Sequence, residues 1–221
     1  MKQIGFLVSG KGGTLKFIHL VQKKLGIPYE IIFVIGDRKC GAIKYAIENN
    51  LENFIVPYSA NHNQELIALL KNYPQVDLII TNIHKIIDPV TLSTFKDKFI
   101  NLHYSLLPAY GGLIGMETVI RAKEDKVLFL GATCHEVDES LDGGPILAQC
   151  SFAVDWNMEM PSIFLAVFVS ANYCLLNALL RKLHIKLSSR LVEEHENVNY
   201  NPPLIFKPNN LTGTFWKKVS R

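Results

Sequence analysis

The stretch "QIGFLVSGKGGTLKFIHLVQKKL", Gln3 to Leu25, joins a short apolar run, a glycine-rich turn and an amphipathic segment. The run from Gln3 to Ser9 predicts a buried strand, because it is short, continuous and followed by glycine. Residues Thr14 to Leu25 carry apolar side chains at helical spacing, and Thr14 is a typical N-cap residue. A strand that leads through a glycine turn into a helix is the opening unit of an α/β fold.

The same alternation recurs through the first half of the chain. Short apolar runs bounded by Gly, Pro, Asp or Asn predict further strands at "YEIIFVIGD", "NFIVPY", "VDLIIT" and "KFINLH". Between them, Gly41 to Asn50 and Asn61 to Asn72 have the apolar spacing of helices. We therefore predict a Rossmann-like α/β fold, with a mostly parallel sheet and helices on both faces. Right-handed crossovers would then place the strand C-termini, and any ligand, along one edge.

The pattern changes after Asn101. We predict a short helix at about Met116 to Ala122, a strand pair from Leu128 to Val137 and from Pro145 to Val154, and a long helix from about Pro161 to Leu183. Beyond them, "NVNYNPPLIFKPNNLTGTFWKK" is rich in Asn and Pro and has no clear period. We therefore expect one folded domain over residues 1–187 and an irregular tail over residues 188–221.

Composition excludes several classes of protein. With 221 residues, 48% of them hydrophobic and 19% charged, the chain is long and apolar enough to bury a full core. A net charge of +3 is too small to indicate nucleic-acid binding. The four cysteines are far apart and have no metal-ligand spacing, which favours reduced thiols in a cytoplasmic protein over a disulfide framework or a zinc site.

The sequence gives no strong sign of a membrane or a secretory route. The chain runs from Met1 directly into an apolar strand pattern, with no signal-peptide cleavage site behind it. The longest uncharged run, Met160 to Leu180, contains a proline, two serines and two asparagines, which favours a buried helix over a membrane span.

The first candidate site is the loop "SGKGGTL", Ser9 to Leu15. Its glycines would let backbone N–H groups approach an anion, and the following helix would add its positive N-terminal end. The loop has neither GxGxxG nor full P-loop spacing, so a tight turn that needs glycine at positive φ remains an equal alternative.

The second candidate site is "NLHYSLLPAYGGL", Asn101 to Leu113. Asn101 and His103 are two apart at the end of a strand, so their side chains would leave it on the same face. An amide donor beside an ionisable imidazole can stabilise an oxyanion and move a proton. The alternative is a histidine that makes only local hydrogen bonds.

The third candidate is "CHEVDESLDGGPILAQ", Cys134 to Gln149. Asp138, Glu139 and Asp142 lie within five residues, ahead of two glycines and a proline that reverse the chain. One of the aspartates could pair with His103, or it could simply make an Asx-type turn. Regular ligand spacing such as D-x-D-x-D-G is missing, so the acids do not indicate a metal site.

Together, "SGKGG", "NLHYSLLPAYGGL" and "GATCHEVDESLDGGPILAQ", in that order, resemble the 10-formyltetrahydrofolate-dependent formyltransferase family, and especially its phosphoribosylglycinamide formyltransferase branch. The resemblance spans Ser9 to Gln149, about two thirds of the chain. It implies that residues 1–187 are a catalytic domain that takes its formyl group from 10-formyltetrahydrofolate and needs no metal. It also implies formyl transfer to a primary amine of a phosphorylated small molecule, with glycinamide ribonucleotide of purine biosynthesis as the default acceptor.

The resemblance also assigns roles to residues. Asn101 and His103 would act at the formyl carbonyl, and Asp142 would hold His103 and manage protons. The folate would lie against two segments, which supply Lys85, Ile86, Ile87, Val137, Asp138, Glu139 and Leu141. The substrate phosphate would be held by Lys11, Gly12, Gly13 and Thr14.

Two departures from that branch leave the acceptor open. An ungapped alignment puts Ala171 where the branch has a glutamate for the ribose hydroxyls, and "IGMET" replaces histidines after the Pro-x-x-Gly-Leu element. An amino sugar nucleotide is therefore an alternative acceptor, and water is another, as in formyltetrahydrofolate deformylases. Those hydrolases usually carry an N-terminal regulatory domain, whereas this chain starts at its first predicted strand, so we expect transfer. Beyond the amine and the folate we expect no nucleic acid and no membrane, and a homodimer stays open because dimers occur in the family.

Overall fold

The computed structural model describes residues 1–58, 63–187 and 197–220. The chain forms two compact units. Unit 1 comprises Met1–Asn101 and Asn210–Arg221, and unit 2 comprises Leu102–Asn209. The chain therefore leaves unit 1 after Asn101 and enters it again at Asn210.

Unit 1 contains a parallel sheet. Its strands are β1 (Lys2–Val8), β2 (Tyr29–Gly36), β3 (Asn53–Ile55), β4 (Leu78–Asn82) and the first part of β5 (Phe99–His103). They lie in the order β3-β2-β1-β4-β5, and each neighbouring pair is parallel. Most side chains of β1 and β4 are buried, as expected for strands covered on both faces.

The helices of unit 1 agree only in part with the predicted starts. They are α1 (Gly13–Leu25), α2 (Gly41–Glu48), α3 (Gln64–Leu70) and α4 (Pro89–Thr94). The first helix begins at Gly13 with Gly12 as its N-cap, so Thr14 is not the cap that was predicted. The predicted start of another helix at Asn61 lies outside the described residues. Asp88 caps α4 by accepting a hydrogen bond from the Thr91 N–H, and Pro89 occupies the first turn, where no N–H is needed. From β1 the strand order runs first towards β2 and β3 and then, on the other side of β1, towards β4 and β5. Because crossovers between parallel strands are right-handed, the helices of these two halves lie on opposite faces of the sheet.

Unit 2 is built around an antiparallel strand pair and one long helix. Its elements are α5 (Glu117–Glu124), β6 (Phe129–Glu136), β7 (Ile146–Ala153), α6 (Met160–Lys182) and β8 (Asn199–Asn201). Both neighbouring pairs, β6 with β7 and β7 with β8, are antiparallel. The predicted strand pair and the two helices of this region are thus present, within a few residues of the predicted bounds. These elements and the parallel sheet of unit 1 agree with the predicted α/β class.

Helix α6 has the length and mean hydropathy of a membrane span. In the structure 72% of its most apolar 18-residue window is buried inside the protein. Its C-terminal half carries Asn177, whose amide donates to the Pro202 carbonyl and accepts from the Ile205 N–H. The helix is therefore apolar because it is packed on most sides, as predicted from its internal Asn, Ser and Pro residues.

The C-terminal region is more ordered than the expected irregular tail. In its described part, β8 pairs with β7, and Leu204 and Phe206 are buried in unit 2. Helix α7 (Gly213–Ser220) then packs on α1 in unit 1, where Phe17 contacts Phe215 edge to face and stacks on Trp216. The Asn and Pro residues suppressed any periodic signal, whereas the few apolar residues between them supply the packing. The predicted tail residues 188–196 lie outside the described residues.

Candidate active site

Strand β5 carries the two polar residues predicted to act on the carbonyl. Asn101 ends the unit 1 portion, where its Nδ2 donates to the Thr81 carbonyl at 3.0 Å and to Thr81 Oγ1 at 3.1 Å. Thr81 is the register partner of Asn101 on β4. The Asn101 amide therefore has a fixed orientation, and it must exchange one of these contacts to donate to a substrate oxygen.

In unit 2, His103 lies beside Asp142. His103 Nδ1 is 3.3 Å from Asp142 Oδ2, and the two side chains are only 7% and 17% exposed. His103 Nε2 is 3.0 Å from the carbonyl oxygen of Tyr110, which can only accept. Each ring nitrogen thus lies near an acceptor, Nε2 near the Tyr110 carbonyl and Nδ1 near the Asp142 carboxylate. The predicted pairing of an acid from "LDGG" with His103 is therefore present in the geometry, and the acid is Asp142.

The backbone around Asp142 explains the glycines that follow it. Asp142 has φ of 53°, and its Oδ2 accepts a hydrogen bond of 2.8 Å from the Gly112 N–H. A Cβ at Gly144 would stand 2.0 Å from the carbonyl oxygen of Glu136, so only glycine fits there. The tight return of the chain against β6 is what holds the carboxylate beside His103.

His135 is a neighbour of this pair that the sequence analysis did not select. It is 2% exposed, its Nδ1 donates to the Glu136 carbonyl at 2.8 Å, and its Nε2 is 3.7 Å from Asp142 Oδ1. Burial lowers the pKa of His135, against the opposing effect of Asp142. In the neutral ring Nε2 is an acceptor, and among the described residues it has no hydrogen-bond partner, because 3.7 Å exceeds hydrogen-bonding distance. The sequence could have indicated His135, because His135 and Asp142 stand on either side of the same predicted turn.

The turn from Val137 to Leu141 has mostly exposed side chains. Asp138 accepts hydrogen bonds from the N–H and the hydroxyl of Ser140. The hydrogen bond from the Ser140 hydroxyl lowers the pKa of Asp138, and this effect outweighs burial, which raises it. Asp138 is therefore the aspartate that makes the Asx-type turn. Leu141 is 60% exposed and Glu139 is also exposed.

The second predicted folate segment lies in unit 1, after β4. The Lys85 ammonium donates to the Tyr58 carbonyl at 2.7 Å and lies 5.7 Å from the centre of the Tyr58 ring. Ile86 is 55% exposed, whereas Ile87 is 3% exposed and belongs to the core. Of this segment, the Ile86 side chain and the backbone are thus open to a ligand, and the Ile87 side chain is not.

The glycine loop has features of a tight turn and features of an anion-binding loop. Gly12 has φ of +81°, and a Cβ there would approach Ala42 Cα to 2.7 Å, so the turn itself requires glycine. Gly13 begins α1, whose first turn carries no acidic side chain, so the positive end of the helix is not neutralised locally. Lys11 is exposed, and the buried Thr14 places its hydroxyl 3.4 Å from Asn82 Nδ2.

His84 is a second residue that the sequence analysis did not select. Its N–H donates to Ser9 Oγ at 3.2 Å, and its Nε2 is 3.9 Å from where a Gly10 Cβ would stand. His84 therefore lies beside the glycine loop within unit 1. Its position was not predictable from spacing, because β1 and β4 become neighbours only in the folded sheet.

The predicted residues fall into groups by unit. His103, Asp142 and the 137–141 turn belong to unit 2, whereas residues 11–14, 85–87 and Asn101 belong to unit 1. Over residues 1–58, 63–187 and 197–220, no group of three or more His, Cys, Asp or Glu side chains is placed to hold a metal ion. Ala171 is fully buried in α6.

Comparison with known proteins places these features in a family. The formyl transferase family matches residues 2–164. The phosphoribosylglycinamide formyltransferase of Haemophilus influenzae is 31% identical over 160 residues, which cover 70% of this chain and 74% of that protein. The formyltetrahydrofolate deformylase of Escherichia coli K12 is 29% identical over 163 residues, covering 70% of this chain and 55% of that protein.

Solved structures agree with the sequence comparison. Glycinamide ribonucleotide transformylase 1 from Geobacillus kaustophilus has a TM-score of 0.72 and 28% identity, over 83% of this chain and 98% of that one. The chain spans about half the length of several curated relatives that it matches, at 56%, 50% and 55%. The family match nevertheless covers well over half of this chain, and the chain belongs to the formyl transferase family.

Proposed function

We propose that this protein transfers a formyl group from 10-formyltetrahydrofolate to the primary amine of a phosphorylated small molecule, with glycinamide ribonucleotide as the acceptor. The observation that carries the proposal is the buried His103–Asp142 pair, 3.3 Å apart, in a chain of the formyl transferase family. As the new bond between the amine nitrogen and the formyl carbon forms, the bond from that carbon to the folate nitrogen breaks, and the folate leaves as tetrahydrofolate after this nitrogen takes up a proton. The protein's task is to stabilise charge on the carbonyl oxygen and to move protons.

His103 and Asn101 would donate to the carbonyl oxygen as an amine adds to the formyl carbon. Negative charge develops on that oxygen, and preorganised donors stabilise it more strongly in a buried site than water does. For His103 this requires that a ring N–H turn from the Tyr110 carbonyl to the substrate. For Asn101 it requires exchange of one Thr81 contact. Both are local rearrangements of groups already on β5.

Asp142 would hold the imidazolium and accept a proton from the amine. Its Oδ2 faces His103, and its Oδ1 faces His135 Nε2 at 3.7 Å. A carboxylate can take the amine proton while the neighbouring imidazole of His103 offsets its charge. We therefore assign proton transfer to Asp142, with His135 as its buried neighbour.

The remaining predicted residues are assigned to binding. In unit 1, Lys85, the exposed side chain of Ile86 and the backbone at the buried Ile87 are assigned to folate binding. In unit 2, Val137, Asp138, Glu139 and the exposed Leu141 are assigned to it. Lys11, Gly12, Gly13 and Thr14 are proposed to hold the phosphate through the positive end of α1. Residues 1–187 are proposed as the catalytic domain, in a cytoplasmic protein that is free to form a homodimer.

The proposal is tested by incubating purified protein with 10-formyltetrahydrofolate and following the release of tetrahydrofolate, with and without glycinamide ribonucleotide. Amine-dependent release together with formylated product supports transfer to this acceptor. If tetrahydrofolate is released only when an amino sugar nucleotide is added, the acceptor is that nucleotide and not glycinamide ribonucleotide. No release under any of these conditions overturns the proposed activity.

Hydrolysis of the folate is the second candidate function. It is favoured by the match to a deformylase over 70% of this chain. In the same assay, release at the same rate without any amine, with formate as product, would establish hydrolysis. His103→Ala serves as the control, because both reactions need a donor at the carbonyl oxygen and both should fall in this variant.

A further inference from the structure

Thr133 lies behind the loop that connects His103 to Gly112, and its hydroxyl uses its full hydrogen-bonding capacity there. It donates to the Ser105 carbonyl at 2.8 Å and accepts from the Leu107 N–H at 3.0 Å and from Gln149 Nε2 at 3.1 Å. A hydroxyl has one donor and two acceptor positions, so no capacity is left. Thr133 is 0% exposed, so water does not substitute for these partners.

Gln149 holds the other side of the same contact. It is the register partner of Thr133 on the neighbouring strand β7, so the two side chains share one face of the sheet. Its Nε2 donates to Thr133 Oγ1 and, at 3.3 Å, to the Leu107 carbonyl. We call Thr133 and Gln149, with the Ser105 and Leu107 backbone groups that they bind, the β6–β7 clasp.

The clasp binds the first part of the loop, at residues 105–107, and the contacts to His103 and Asp142 come from its last part, at residues 110–112. Ser105 Oγ donates to the Ala109 carbonyl at 2.5 Å, which closes the intervening turn. The Tyr110 carbonyl then meets His103 Nε2, and the Gly112 N–H meets Asp142 Oδ2. One loop therefore orients both members of the His103–Asp142 pair.

We propose that Thr133 and Gln149 are positioning residues for the reaction: by fixing residues 105–107 they set the orientation of His103 against Asp142, and they act on turnover more than on substrate binding. The inference rests on the proposed function. Neither side chain needs to touch a substrate for this role. A displacement of about 1 Å in a catalytic group can cost about a hundredfold in rate, so a shift of the loop is expected to be visible.

The test compares Thr133→Val with Thr133→Ser. Valine has nearly the size of threonine but strands the Leu107 N–H and the Ser105 carbonyl, whereas serine keeps the hydroxyl. We expect Thr133→Val to lower kcat by about 10- to 100-fold with KM for donor and amine changed less than about threefold. Thr133→Ser should retain kcat within about threefold. Gln149→Met, of similar length without donors, should lower kcat in the same direction by a smaller factor.

A second readout follows His103 directly. The ring ¹⁵N and ¹H resonances of His103, assigned with a His103→Gln variant, should move in Thr133→Val and Gln149→Met and stay in place in Thr133→Ser. This measurement does not need turnover, so it tests the clasp even where the wild type shows no formyl transfer, which would overturn only the proposed function.

Three results would overturn the clasp. One is a folded Thr133→Val protein with wild-type kcat. Another is a loss confined to KM, which would indicate a binding role. The third is a loss of kcat with unmoved His103 resonances, which would show that the effect does not pass through His103. Should Thr133→Val fail to fold, Gln149→Met decides by the same criteria, because it leaves the Thr133 hydroxyl and two of its bonds in place.

Discussion

Asp142 combines an unusual backbone with three polar neighbours. It has positive φ, accepts from Gly112, faces His103 with one oxygen and faces His135 with the other. A left-handed conformation costs a non-glycine residue about 1–2 kcal/mol, and aspartate is among the residues that tolerate it best. The side chain is thus held by its surroundings where its charge can act on His103.

Replacing Asp142 by asparagine should lower turnover by at least about a hundredfold, because the amide keeps the shape and loses the charge and the proton acceptor. Folate affinity should change little, since the proposed folate contacts in this turn are largely backbone. Steady-state kinetics and a fluorescence titration with tetrahydrofolate measure the two effects. Asp155→Asn is the matched control, because Asp155 is an exposed aspartate that accepts from the Asn157 N–H and has no assigned role in the site, and it should change turnover by no more than about twofold. Near-normal turnover of Asp142→Asn would refute the assignment.

Two buried histidines should make stability depend on pH. Burial is the first cause that lowers the pKa of His19, with Lys23 adding to it, and burial likewise lowers the pKa of His135 from its ordinary value of 6.5. The folded state then binds these protons less readily than the unfolded state does. Their contribution to stability is complete above about pH 6.5 and is lost as pH falls below that value.

We therefore expect the free energy of unfolding, measured with urea at a series of pH values, to fall between about pH 7 and pH 5. His19→Gln and His135→Gln should each reduce this slope, and the double variant should reduce it most. A slope unchanged in the double variant would mean that other groups, such as the carboxylates, carry the pH dependence.

At the scale of elements, the connection from β1 to α1 depends more on Gly12 than on Gly10. Gly12 has positive φ and stands against Ala42, whereas the nearest atom to a Cβ at Gly10 is His84 Nε2 at 3.9 Å. The two glycines look alike in "SGKGG", and only the folded contact with α2 separates them.

Gly12→Ala should lower the free energy of unfolding by at least about 1–2 kcal/mol, from the strained φ and the contact with Ala42. Gly10→Ala, the matched control, should change it by less than about 0.5 kcal/mol. Urea unfolding monitored by circular dichroism measures both. Equal effects of the two substitutions would contradict the structural distinction between these glycines.

At the scale of the whole molecule, the chain returns to its first unit after building its second. Helix α7 belongs to unit 1 and contributes Phe215 and Trp216 to the packing around Phe17. Aromatic side chains of this size contribute several kcal/mol when they are buried in a core. The last residues should therefore stabilise the unit that contains the first residues.

Removing residues 210–221 should reduce the protection of amides in α1 against hydrogen exchange far more than that of amides in α6. Exchange followed by mass spectrometry over peptides from each helix measures the difference. Lys218→Ala, an exposed change in α7, should leave both helices protected. Uniform loss of protection in both helices would instead indicate that the chain unfolds as a single cooperative unit.

The alternation of apolar runs and helical spacing was sufficient to predict the α/β class and most elements, because period and burial are local properties of the chain. It was not sufficient for the C-terminal region, where a few apolar residues scattered among Asn and Pro are buried only through contacts with α1, α6 and β7. Ile87 illustrates the same limit: its sequence context resembles that of Ile86, yet one is buried and the other exposed.

By itself, the sequence determined the fold class and the family, since residue types and their order carry that information. The catalytic roles of Asn101, His103 and Asp142 stay a prediction. The family resemblance named Asp142 as the partner of His103. Only the tertiary structure placed these side chains 3.3 Å apart and showed that Asp138 makes the turn with Ser140, because the two aspartates differ in backbone conformation and not in composition. It also brought His135, Thr133 and Gln149 to the same loop. These residues are distant from His103 along the chain, and strand pairing, which is non-local, is what sets the distances between them.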